Sequence, residues 1–137
     1  MNITRNINKN IFREYDIRGT YPNEINEDIA FTIGKAYGTY IKKYGEKMCL
    51  VGHDNRLSSN SLNHALQEGI LGAGIDVIDL GLVTTPMLYF ARIKKQIPAG
   101  IMVTASHNPK DDNGFKFSFG EVLNAKGEEI YKFRDFV

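Results

Sequence analysis

Ile29, Ile33, Tyr37 and Ile41 recur about one helical turn apart, with Tyr40 and Tyr44 beside them and Lys35, Thr39, Lys42 and Lys43 between. That spacing predicts an amphipathic helix. Asn26 before Glu27 and Asp28 supplies its cap and acidic first turn, and Gly45 ends it. A second helix begins at a cap of Ser58 or Ser59, buries Leu62, Leu66, Ile70 and Ala73, and closes at Gly74, where a left-handed residue is wanted. Thr85 followed by Pro86 reads as a cap with proline at the first helical position, opening a helix that runs to about Lys95. The stretch 128–137 predicts a last helix with Ile130, Phe133 and Val137 on one side.

Shorter apolar runs over 48–51, 75–80 and 99–103 predict strands. Residues 11–18 alternate imperfectly, with Ile11, Tyr15 and Ile17 opposed to Glu14, Asp16 and Arg18, which predicts a strand wet on one face and ended by Gly19 and Pro22. Beyond Pro109, Phe115, Phe117 and Phe119 alternate with Lys116 and Ser118, and Gly120-Glu121 reads as a turn into Val122-Leu123. A hairpin is predicted there. Strands alternating with helices predict an α/β protein, a three-layer α/β/α sandwich on a mixed, mainly parallel sheet with an antiparallel component from the hairpin. No repeat or internal linker divides the chain, so one domain spans 1–137. Ligands of such sheets gather at the carboxyl ends of the strands, where three polar loops fall, over 52–56, 81–85 and 104–113.

Composition narrows the function classes. The chain has 137 residues, 42% of them hydrophobic and 24% charged, as in an ordinary globular domain. Its formal net charge is +1, which gives no bulk electrostatic case for nucleic acid or anionic lipid, so any anion site is local. The single cysteine, Cys49, excludes an internal disulfide and sits in an apolar run as a small buried hydrophobe. No signal-like or membrane-spanning apolar stretch is present, and cytoplasmic residence is the default expectation. The last helix ends without a Gly or Pro stop, so the chain is expected to continue in a longer protein.

The stretch Thr104-Ala105-Ser106-His107-Asn108-Pro109 follows the apolar strand directly. A serine just past a strand end can be exposed on a short loop, with backbone N–H groups and polar side chains available to hold phosphate oxygens. Its hydroxyl can accept and return a phosphoryl group, splitting one difficult transfer into two. Taken generically, however, Ser-His-Asn-Pro is also a good turn sequence. A Ser-His-Asp hydrolase is disfavoured, because adjacent Ser106 and His107 do not easily face each other and no Gly-x-Ser-x-Gly elbow is present.

Thr104 to Pro109, followed by Asn113-Gly114-Phe115-Lys116, resembles the signature of the α-D-phosphohexomutases, the phosphoglucomutase and phosphomannomutase group. Phe12-Arg13-Glu14-Tyr15-Asp16-Ile17-Arg18-Gly19 is similar to that family's amino-terminal motif, and Gly52-His53-Asp54-Asn55-Arg56-Leu57-Ser58 to its second conserved loop. The resemblance covers all but about the first ten residues. It implies that Ser106 carries a phosphate, donates it to a hexose phosphate and recovers the other phosphate of the bisphosphorylated sugar. It also implies Mg²⁺ bound through an oxygen of that phosphate, and a bisphosphorylated hexose as primer.

The charge of a phosphoryl group in transfer calls for fixed cations. Arg18, His107 and Lys116 are the candidates beside Ser106, with Tyr15, Asn108 and Arg56 for substrate or phosphate binding. Each has a plainer reading: Lys116 as a solvated charge on a hairpin, Arg18 paired with Asp16 or Glu14, Tyr15 in the core, and Arg56 either stabilising the serine loop or paired with Asp54. His53 and His64 read as structural or solvated, Asp111 and Asp112 as loop solvation or an Asx turn, and the glycines at 69, 72 and 74 as close packing and a helix end. The family's Asp-x-Asp-x-Asp metal loop and its later domains have no counterpart here, so the resemblance implies a domain inactive by itself. A phospho-sugar binding module that never transfers phosphate, and an interaction domain docking through a carboxyl-terminal apolar face, are the alternatives.

Overall fold

Alternation along the central strands decides which layer each residue enters. The computed structural model describes residues 1–120 and 125–137. Strands β1 (Ile17–Thr20), β2 (Met48–His53), β3 (Asp76–Leu82), β4 (Gly100–Val103) and β5 (Asp112–Ser118) are interleaved with helices α1 (Glu27–Lys42), α2 (Ser59–Gly72), α3 (Thr85–Lys95) and α4 (Glu128–Phe136). The sheet runs in the order β1-β5-β4-β2-β3. Strand β2 is parallel to both β3 and β4, whereas β5 is antiparallel to β4 and β1. Only β5 therefore points against the rest, and the sheet is mixed and mainly parallel.

Cys49, Val51, Ile101, Val103, Phe115 and Phe117 face the larger core, which α1, α2 and α4 close. Their neighbours Leu50 and Met102 face the opposite layer, where they meet Leu88 of α3 and Ile97. This is the expected three-layer α/β/α sandwich. The two long helices approach very closely: a Cβ on Gly34 would lie 2.1 Å from the Leu66 carbonyl oxygen, and one on Gly69 would lie 2.1 Å from that of Phe31. Gly74, at φ 79, takes the left-handed conformation at the end of α2. Asn26 caps α1 as expected, its side chain accepting from the Ile29 N–H at 3.0 Å.

Several boundaries differ from the sequence reading. Residues 11–18 are not a single strand. Lys9–Ile11 is a 3-10 turn, Phe12 pairs with Ile17 in an isolated antiparallel bridge, and the Arg13 N–H donates to the Asp16 carbonyl at 2.7 Å. The chain reverses over these residues, which inverts the expected facing: Tyr15 is 50% exposed, not core, and Asp16 only 1%. Strand β1 then passes through Gly19 to Thr20. The cap of α3 is Thr84, with Thr85 already helical, and Ser58 precedes α2 in a helical conformation without a side-chain cap bond. Strand β3 continues past Leu80 to Leu82. The predicted turn and return strand at Glu121, Val122 and Leu123 lie outside the described residues.

Helix α4 buries Ile130 and Phe133, so its apolar side faces the core. Large apolar side chains are exposed along α3, at Met87, Phe90 and Ile93, at Leu57, Leu71 and Leu82, and at the carboxyl end at Tyr131 and Val137, among others. Among the described residues, no helix is long and apolar enough to cross a membrane.

Candidate functional site

Strand β4 delivers Ser106 to the carboxyl end of the sheet. Thr104 and Ala105 are still buried, whereas Ser106 and His107 are exposed. Ser106 has φ 56, a left-handed conformation uncommon for a residue with a Cβ and one that costs roughly 1 kcal/mol or more unless its surroundings impose it. They do impose it. The Ser106 N–H donates to Thr104 Oγ1 at 3.0 Å, the Thr104 hydroxyl donates to Asp54 Oδ2 at 2.8 Å, and the Asn108 N–H returns to the Ala105 carbonyl at 3.1 Å. Asp54 stands just beyond β2, which pairs in parallel with β4, so the two strand ends present these groups to one another.

Arg56 braces the same loop from outside. One terminal nitrogen donates to the carbonyls of Ser106, at 3.0 Å, and Asn108, at 2.9 Å. The other donates to the carbonyls of Pro109 and Asp112. Its Nε meets Asp54 Oδ2 at 3.1 Å. The two plainer roles read from the sequence, stabilising the serine loop and pairing with Asp54, thus coexist. A planar fork of fixed donors can serve several carbonyls at once, which a lysine point charge cannot.

The cations gather on the neighbouring strands. Arg18 on β1 donates from Nε to Asp16 Oδ2 at 2.5 Å and from a terminal nitrogen to Asn108 Oδ1 at 2.6 Å. Lys116 on β5 lies with its ammonium 3.4 Å from that same Asp16 oxygen. Its side chain is only 16% exposed, so it is not the solvated hairpin charge of the plainer reading. Asn108 joins the loop to this group, since its amide nitrogen also donates to Asp112 Oδ2 at 2.9 Å. Asp112 is therefore a structural partner, while Asp111 pairs at the surface with Lys110.

Two open clefts flank the loop. One, of about 680 Å³, is lined by Ser106, Asn108, Arg56, Ser58 and Tyr21 among others. The second, of about 550 Å³, is lined by Tyr15, Arg18, Asp16 and Asn108 among others. Asn108 lines both. The Tyr21 hydroxyl donates to Glu27 at 2.9 Å, and that bond, followed by burial, raises its pKa.

Sequence reasoning passed over Asp16, Asp54, Thr104 and Tyr21 as site-shaping groups. The first three lay inside the motifs that drew attention to their neighbours, and Tyr21 carried no local signal. His53 is engaged with the Asp54 carbonyl through Nδ1 at 2.8 Å, and His64 is exposed on α2. Burial pushes the Cys49 thiol up to about 12, which keeps it protonated and unreactive. Among the described residues, no group of three or more His, Cys, Asp and Glu side chains gathers as a metal-ligand set. Mg²⁺ takes about six oxygen ligands, of which a phosphorylated Ser106 would offer one, so these residues alone do not form a site for it.

Residues 9–133 match the family model described as phosphoglucomutase/phosphomannomutase, alpha/beta/alpha domain I. A phosphomannomutase of Salmonella typhimurium is 50% identical over 105 residues, which cover 77% of this chain and 22% of that protein. A phosphoglucomutase of Neisseria gonorrhoeae is 42% identical over 114 residues, covering 83% of this chain and 25% of that protein. The crystal structure of a phosphoglucomutase/phosphomannomutase family protein from Burkholderia thailandensis superposes with a TM-score of 0.88 at 36% identity, over 95% of this chain and 30% of that one. The chain thus spans about a quarter of the length of these relatives. The match over residues 9–133, together with the α/β/α fold shared with the family structure, shows that the chain belongs to the phosphoglucomutase/phosphomannomutase family, as its α/β/α domain I.

Proposed function

We propose that this chain is the phosphoryl-carrying domain of a hexose-phosphate mutase, with Ser106 as the carrier. The observation that supports this most is the conformation of Ser106: exposed, left-handed and braced by Asp54, Thr104 and Arg56 at the carboxyl end of the sheet. In the forward step, a free hydroxyl of a hexose monophosphate attacks the phosphorus on Ser106. The bond to Oγ breaks, the attacking hydroxyl gives up its proton and Oγ regains one, leaving free serine and a bisphosphorylated sugar. That sugar turns around, and Oγ attacks its other phosphorus and gives up its proton; the bond from that phosphorus to the sugar oxygen breaks, the sugar oxygen takes up a proton, and phosphorylated Ser106 is restored. The net change interconverts a 1-phosphate and a 6-phosphate.

Arg18 and Lys116 neutralise charge on the phosphoryl oxygens, and Asn108 fixes Arg18 against the loop. Tyr15 borders the second cleft and His107 is exposed beside Ser106, and on this reading both meet the incoming sugar phosphate. Arg56 contributes through the loop carbonyls it holds, and so acts on phosphate binding indirectly. Mg²⁺, when bound, would supply further neutralisation through one phosphate oxygen of Ser106, with its other ligands from outside these residues. The remainder of the longer protein completes the sugar site, so the domain by itself is inactive. The absence of a spanning helix among the described residues is compatible with cytoplasmic residence.

The test is conversion of a panel of sugar 1-phosphates by the full-length protein, with Mg²⁺ and a bisphosphorylated hexose primer. Conversion of at least one sugar, abolished by Ser106→Ala, is expected. No conversion of any would remove the mutase reading and leave a phospho-sugar binding module.

A further inference from the structure

We infer that Asp16 is a positioning residue that holds Arg18 and Lys116 together as one phosphate-facing unit. This rests on the reading of Ser106 as the phosphoryl carrier. A single carboxylate oxygen of Asp16 serves both cations, at 2.5 Å from Arg18 Nε and 3.4 Å from Lys116 Nζ. The arrangement follows from the strand pairing. Ile17 opposes Phe115 in the β1–β5 ladder, so one step beyond it Asp16 stands across from Lys116. The chain reversal at 13–16 then turns the Asp16 side chain inward, to 1% exposure.

Asp16 borders the second cleft but is only 1% exposed, its carboxylate oxygen turned to the two cations, so it acts through those partners. A buried carboxylate is tolerated because both cations satisfy it, and the cations are tolerated side by side because it separates their charges. Without it, two like charges on adjacent strands repel and swing toward solvent. The three side chains together carry one net positive charge. That attracts a phosphoryl dianion yet leaves it free to depart, as a carrier requires. Asn108 completes the unit by fixing the far end of Arg18 at 2.6 Å.

The test uses the full-length protein and the isosteric variant Asp16→Asn, alone and combined with Lys116→Met. Ser106 loading from a bisphosphorylated hexose is read by intact mass, and kcat and KM are measured separately. For Asp16→Asn the expectation is a fall in kcat of about tenfold or more, the scale of a modest misplacement of catalytic groups, with KM within about threefold. In the Lys116→Met background the same change should cost several-fold less, because the partner it positions is gone. A kcat within about twofold of wild type, an equal fold-loss in both backgrounds, or an Asp16→Asn protein that does not fold would each overturn the inference. A wild-type protein that never loads Ser106 would instead overturn the carrier reading beneath it.

Discussion

The Thr104 hydroxyl donates to the Asp54 carboxylate at 2.8 Å, and the same Thr104 oxygen accepts the Ser106 N–H at 3.0 Å. One hydroxyl thus ties the end of β2 to the backbone of the exposed serine. The left-handed Ser106 is held from beneath by that tie and from outside by Arg56. Under the proposed carrier role, that bracing spares the chain the ordering of the loop at each turnover.

Thr104→Val should remove the tie while keeping the shape. It leaves Asp54 short of one donor and the Ser106 N–H without its acceptor, at an expected stability cost of about 1–3 kcal/mol. Urea unfolding of the chain checks this, with Thr104→Ser as the control that keeps the hydroxyl and loses much less.

Arg56→Lys retains the charge and loses the fork. The carbonyls of Ser106, Asn108, Pro109 and Asp112 cannot all be reached by one ammonium, so amide exchange over residues 106–112 should accelerate by at least about tenfold, an opening-energy change of roughly 1.4 kcal/mol. Exchange followed by mass spectrometry reads it, and an unchanged rate would show that the loop is held without Arg56.

The helices and the layer order were legible because each rested on a long apolar period. Asn26 and Gly74 behaved as their chemistry predicted, one as a cap and the other at positive φ. Residues 11–18 misled because alternation over so short a stretch does not distinguish a strand from a chain that folds back on itself. Ile17 pairs with Phe12 across a short reversal and also with Phe115 of β5, and the second contact lies in no local pattern. Asp16 was hidden for the same reason: a charged residue next to Arg18 suggests a surface pair, and only the fold buries it against Lys116. Arg56 offered two roles from sequence, and its reach to four carbonyls depended on a loop 50 residues or more away.

The contact between α1 and α2 makes opposite predictions for two glycines of one helix. Gly69→Ala drives a methyl to 2.1 Å from the Phe31 carbonyl oxygen, so the helices must separate, at an expected cost of about 2 kcal/mol or more. Gly72→Ala meets nothing within 4 Å and reduces the freedom of the unfolded chain, for a gain of about 0.5 kcal/mol. Thermal unfolding of the two variants should move in opposite directions.

Cys49 supplies a pH signature. Burial raises its thiol from 9.0 to about 12, so between those values the unfolded chain binds fewer protons at this group than the native one does. Its contribution to stability is therefore whole below the lower value and is lost progressively as pH rises toward the upper. Tyr37 and Tyr40 are also raised by burial and add to the same alkaline loss. Cys49→Ala should flatten the fall of stability between about pH 9 and 12 relative to wild type, measured by urea unfolding at each pH.

Transfer from the serine itself tests the central claim most directly. The full-length protein is loaded from a bisphosphorylated hexose, freed of excess sugar and mixed with a hexose monophosphate, while intact mass and peptide mapping follow the protein. The account predicts a single phosphoryl group on Ser106 that appears on loading, disappears on adding the monophosphate and is recovered in bisphosphorylated sugar. A protein that never gains that group at Ser106, yet interconverts sugar phosphates, would contradict it.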